Sequence, residues 1–113
     1  MEKASDIRIV MVTTDSLEIA KSIAKSIVDH NLAACCSIIP QVISVFEWEG
    51  KTEETAEFLM MIKTRKKSIS DLEKKITEMH NYKVPEIIAL SADSCNSSYL
   101  DWLNMTMNHK KIK

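Results

Sequence analysis

The chain has 113 residues, 45% of them hydrophobic, with 15 basic and 16 acidic side chains and a formal charge of −1. That size fits a single domain, residues 1–113, with a modest core. The near-neutral charge offers no global attraction for nucleic acid or an anionic membrane, and no run approaches the ~18 apolar residues of a membrane span.

Residues 1–6 lack the apolar stretch of a secretory signal. Cys35, Cys36 and Cys95 are odd in number, and two are adjacent. Neighbours on a strand point to opposite faces, so Cys35 and Cys36 should not pair. This cysteine usage suits a reducing compartment, and the expectation is a cytoplasmic protein.

Residues 7–12 are a short apolar run, consistent with a buried strand. Asp15-Ser16-Leu17-Glu18 fits a capping box with Asp15 as cap, and Leu17, Ala20, Ile23, Ala24, Ile27 and Val28 follow as one helical face. Asn31 can end that helix in the left-handed conformation. Residues 33–47 read as a β-branched strand in which Pro40, having no donor, marks an edge or a bulge. Glu49-Gly50-Lys51 is a turn at the chain's single glycine. Residues 52–64 return as a strand covered on both faces in its second half. Ser70-Asp71-Leu72-Glu73 is a second capping box, for a helix with Ile69, Leu72, Ile76 and Met79 as its apolar stripe. Residues 82–85 form a loop, because Pro85 biases Val84 away from helix. Residues 86–92 are a fourth strand, and Asn96 or Ser97 caps a short final helix carrying Tyr99, Leu100, Trp102 and Leu103. Residues 108–113 read as a polar tail.

The order β-α-β-β-α-β is the α+β, ferredoxin-like arrangement: a four-stranded antiparallel sheet with two helices on one face, here with a short C-terminal helix added. The central hairpin is out of scale. Strands of about 13 to 15 residues span about 45 Å at ~3.3 Å per residue, whereas a globule of this length is about 35 Å across. Its tip should project, and a projecting edge invites pairing with another chain. Closed cyclic assembly is the natural remedy.

Six blocks then recur in a familiar order: Asn31-Leu32-Ala33-Ala34-Cys35, Ile39-Pro40, Phe46-Glu47-Trp48-Glu49-Gly50-Lys51, Met60-Met61-Ile62-Lys63-Thr64, Tyr82-Lys83-Val84-Pro85-Glu86 and Tyr99-Leu100-Asp101-Trp102. Together they resemble the CutA divalent-cation tolerance family. The resemblance implies a ferredoxin-like subunit in a tight homotrimer whose long hairpins pair between subunits, and an association with tolerance to copper and other divalent cations. It also implies a likeness in fold to PII-type sensors, which bind small effectors between subunits.

Copper needs thiolate, thioether or imidazole ligands. By the resemblance, His80 matches the family's histidine before the Tyr82 block, and Cys35 matches its cysteine after two alanines. These two are the candidate metal ligands. Some members have a second histidine where this chain has Met79 and a cysteine where it has Met11. Met11, Met79 and His80 are therefore a possible cuprous set, with core filling as the other reading of the two methionines. Cys35 is either an interface ligand or a small buried hydrophobe. Cys36 is packing, and Cys95 falls in a loop.

Trp48, Lys63, Tyr82 and Glu86, with His80, make a candidate small-molecule pocket, since an aromatic face, a cation, a carboxylate and an imidazole can converge at strand and helix ends. The alternatives are a modest Lys63–Glu86 ion pair, a dipole contact for His80, and interface anchoring by Trp48 and Trp102. Lys63-Thr64-Arg65-Lys66-Lys67 is basic, but residues 57–63 have no glycine and one aromatic, unlike an RNA-recognition strand. One glycine excludes a P-loop, a dinucleotide fingerprint and a G-x-S-x-G elbow. No nucleophile–base pair stands out, so no enzyme is expected. The expectation is a trimeric divalent-cation tolerance protein that binds copper or a similar ion through His80 and Cys35. A PII-like sensor of a small anionic molecule, or a scaffold, is the alternative.

Overall fold

Two strand–helix–strand units share one sheet in the computed structural model, which describes residues 1–109. Part of the expected polar tail, residues 110–113, lies outside the described residues. In chain order the elements are β1 (Glu2–Lys3), β2 (Ile7–Thr14), α1 (Leu17–Asp29), β3 (Cys35–Trp48), β4 (Lys51–Arg65), a 3-10 turn (Lys66–Ser68), α2 (Ile69–Met79), β5 (Ile87–Ser91), β6 (Ser94–Cys95) and α3 (Ser97–Asn108). The main sheet runs β3-β4-β2-β5, antiparallel throughout. This is the ferredoxin-like order. A small β1-β6 pair, absent from the sequence reading, ties the N-terminus to the segment before α3.

Alternation along the strands decides which face is covered. Val10, Val12, Met60 and Ile62 point to the helices, where Ala20, Ile23 and Ile27 of α1 and Leu72 and Ile76 of α2 complete one buried cluster. These are the residues of the expected helical stripes. A second cluster, Ala4, Ile7, Ala34, Leu103 and Met107, forms where α3 packs.

The intervening residues point the other way. Ile9, Met11, Leu59 and Met61 are half-buried there, and Ile39, Ile88 and Leu90 stand 45 to 49% exposed. Met11 thus lies on the face opposite the helices, while Met79 packs against the helix-side core. The sheet separates the two methionines, and the set Met11, Met79 and His80 does not converge within one chain.

Helix starts differ from expectation. Ser16, not Asp15, caps α1, its Oγ accepting the Ile19 N–H at 3.2 Å. The reason is that β2 continues through Thr13 and Thr14, paired with Leu59 and Phe58, which moves the helix start along by one residue. No side chain caps α2. The chain is already wound by the Lys66–Ser68 turn before Ser70 is reached, so the expected box has no free amides to serve. Asn96 caps α3, accepting the Tyr99 N–H. Asn31 is left-handed at φ 57 as expected.

The hairpin arms are 14 and 15 residues long. Pro40 sits in a register break between Ile39 and Val42, where Gln41 takes φ 61. Glu49 and Gly50, at φ 51 and 80, close the turn between paired Trp48 and Lys51. Two positive φ values match the twist of a two-residue hairpin. β2 pairs β4 only from Phe58 onward, so residues 51–57 have β3 as their single neighbour. The molecule measures 45 × 35 × 23 Å. Among the described residues no helix is long and apolar enough to cross a membrane.

Candidate functional site

The projecting hairpin leans over the loop that follows α2, and a cleft of about 780 Å³ opens between them. The loop is fixed from below by His80. Its backbone N–H donates to Ile76 O, closing α2. Its Nδ1 accepts the Tyr82 N–H at 2.9 Å, so the ring proton sits on Nε2, which donates to Thr13 O at 2.8 Å. The two rings lie 4.8 Å apart. Asn81 adds a second tie, accepting from Thr14 Oγ1 and donating to Asp15 Oδ1.

Held this way, the Tyr82 hydroxyl donates to Glu57 Oε2 at 2.6 Å. Burial raises the Tyr82 pKa, and the hydrogen bond and charge of Glu57 raise it further. The phenol therefore stays protonated, a fixed donor. Removing it in Tyr82→Phe leaves a buried carboxylate oxygen without its partner, and the expected loss is about 1–3 kcal/mol of stability, read as a lowered denaturant midpoint at unchanged m-value.

Trp48, Tyr82 and Glu86 all line the cleft, as the sequence reading grouped them. Lys63 does not. Its Nζ donates to Ser37 Oγ and to Met61 O, and no Lys63–Glu86 pair forms. The cause is distance along β4: Lys63 lies six residues past Glu57, about 20 Å at ~3.3 Å per residue. The cleft is instead walled by Asp15, Glu53, Glu57 and Glu86 against Lys83. Sequence reasoning missed Glu57. The available signal was a lone carboxylate set directly before the apolar run of residues 58–62.

Cys35 marks the other end of the sheet. It pairs with Lys63, and Lys63 pairs with Ile9, whereas His80 bonds Thr13. Four residues along β2 separate those levels, about 13 Å before the step across two strands. One chain therefore does not bring His80 and Cys35 together. No group of three or more His, Cys, Asp or Glu able to hold a metal occurs among the described residues. The Tyr99 hydroxyl lies beside Cys35 and Cys95, and burial followed by the two thiols raises its pKa. Cys95 is half-buried in β6 rather than in a loop.

Cys36 faces the helices and packs on the core. Burial pushes its thiol up to about 11, against a partial opposing pull from Lys63. Two units above an ordinary thiol means about hundredfold less thiolate near pH 8. Iodoacetamide at that pH should therefore modify Cys36 last, by peptide mapping. Early labelling of Cys36 would contradict its burial.

Residues 8–106 match the family model for the CutA1 divalent ion tolerance protein. The chain is 40% identical over 95 residues to the divalent-cation tolerance protein CutA of Thermus thermophilus, covering 84% of this chain and 92% of that one. It is 44% identical over 101 residues to the chloroplastic protein CutA of Arabidopsis thaliana, covering 88% of this chain and 56% of that longer protein. The structure of the periplasmic divalent cation tolerance protein CutA from Archaeoglobus fulgidus superposes with a TM-score of 0.86 at 37% identity, covering 89% and 98% of the two chains. The Thermus and Archaeoglobus relatives are named as divalent-cation tolerance proteins, and the names of the Arabidopsis and Archaeoglobus proteins place them in the chloroplast and the periplasm.

Proposed function

The chain belongs to the CutA1 divalent ion tolerance family, and on that premise we propose that it acts in the cytoplasm as a homotrimer holding copper or a similar divalent cation between subunits. The observation that carries this reading is the sheet face opposite α1 and α2, where Ile39, Ile88 and Leu90 stand 45 to 49% exposed beside Met11 and Met61. A face of that composition is ordinarily buried against a partner, and the two-stranded hairpin beyond Phe58 offers edges to pair.

The soft donor suited to copper is Cys35, with Cys95 at the same end of the sheet. His80 spends both ring nitrogens on the protein itself, so its role is to hold the loop. Calorimetry of the reduced protein with cuprous ion tests the assignment. Cys35→Ser should weaken binding at least about tenfold and His80→Ala should leave it unchanged. Indistinguishable isotherms for wild type and Cys35→Ser would refute it.

A second reading, a small-molecule sensor of the PII kind, is favoured by the cleft volume, which suits an organic ligand better than a bare ion. The acidic walls turn that reading away from an anionic effector.

A further inference from the structure

Glu57 is 5% exposed and stands in the cleft wall. Its one hydrogen-bond partner among the described residues is the Tyr82 hydroxyl, on Oε2. A phenol supplies a hydrogen bond but no opposite charge, and buried carboxylates ordinarily have a cation. Glu57 lines the cleft, and its second oxygen is not sealed from solvent: among the described residues, Arg65 Nε is the one side-chain N or O atom both sealed and without a partner. Nearby, Asp15, Glu53 and Glu86 add negative charge, Phe46 and Trp48 add aromatic surface, and Val45 and Val84 add aliphatic surface.

These features select among ligands. An anion meets four carboxylates against one ammonium. A bare metal ion finds no three-ligand group among the described residues and fills a small part of about 780 Å³. An organic cation satisfies every wall. Its head makes a charge-assisted hydrogen bond to Glu57, an aromatic face attracts the same charge, and an aliphatic body covers the apolar surface.

We propose that this cleft binds a small organic cation, an ammonium or guanidinium head on an aliphatic chain, with Glu57 as its counter-ion and Tyr82 as the positioning residue that turns the free carboxylate oxygen toward it. This deepens the small-molecule reading and rests on it; it is independent of copper at Cys35.

The test is calorimetry of the full reduced chain at low salt, with 1,4-diaminobutane and n-butylguanidinium as probes, 1-butanol as the neutral match and succinate as the anionic one. The two cations should bind with submillimolar Kd and the other two probes should not. Glu57→Gln should weaken cation binding at least about tenfold, as should raising the salt to about 0.5 M. Cys35→Ser should leave it unchanged. If Glu57→Gln fails to fold by circular dichroism, Glu86→Gln on the exposed rim stands in, with an expected loss of about threefold. Absence of cation binding up to about 10 mM overturns the proposal, and that includes the case of a neighbouring copy's lysine already filling the cleft. Equal binding of butanol, or binding indifferent to the carboxylate variant, also overturns it. A cuprous titration on the same samples separates the two readings: copper lost in Cys35→Ser without any amine binding sinks the cleft ligand alone.

Discussion

On the proposed homotrimer, Ile88→Glu should convert the assembly from three chains to one, read as a threefold fall in light-scattering mass at micromolar concentration. Ile88 lies on β5, 49% exposed, and pairs across the ladder with Met11 on the face opposite α1 and α2. A carboxylate there would be buried against apolar partners in the trimer. An unpaired buried charge costs several kcal/mol, and closed symmetry repeats that cost in every subunit. The isolated chain bears the substitution easily, since the side chain then meets water. Lys21→Glu, on the exposed side of α1, changes charge by more and should leave the mass untouched. A trimer mass retained by Ile88→Glu would mean that assembly does not use this face.

The same face explains how much the sequence could say. Strand and helix order was legible because each element carries its own period: Ile23, Ile27, Leu72 and Ile76 sit where the helical stripes put them. The hairpin excess was legible from length, and the structure gives it a boundary at Phe58, where β2 stops pairing. The α1 cap falls on Ser16 because β2 runs on through Thr14, a pairing decided by a strand far away in the sequence.

The site was half legible. Trp48, Tyr82 and Glu86 line one cleft, whereas Lys63 lies outside it although it too stands near a strand end. In an antiparallel hairpin the two ends of β4 are far apart: Trp48 is level with Lys51, and Lys63 is twelve residues on, about 40 Å at ~3.3 Å per residue. Register, not residue type, decides which charges share a cleft. Glu57 was invisible for the complementary reason, since its burial comes from Tyr82 and the loop above it rather than from its own strand.

His80→Ala should cost about 2–3 kcal/mol of stability and leave copper affinity unchanged. One imidazole joins Thr13 O of β2 to the Tyr82 N–H of the loop. Its loss leaves both backbone groups in search of water, at about 1 kcal/mol each, and removes the ring packed on Tyr82. The midpoint of thermal unfolding should fall by roughly 10 °C. A second consequence distinguishes this role from metal ligation. The loop carries Tyr82, and Tyr82 orients Glu57, so organic-cation binding should weaken along with stability while the copper isotherm holds. His80→Gln should recover part of the stability, because an amide can replace one of the two hydrogen bonds. A metal ligand would give the opposite pattern, a collapsed copper isotherm on an intact fold, and that result would move His80 from the support of the cleft to the centre of a cation site shared between subunits.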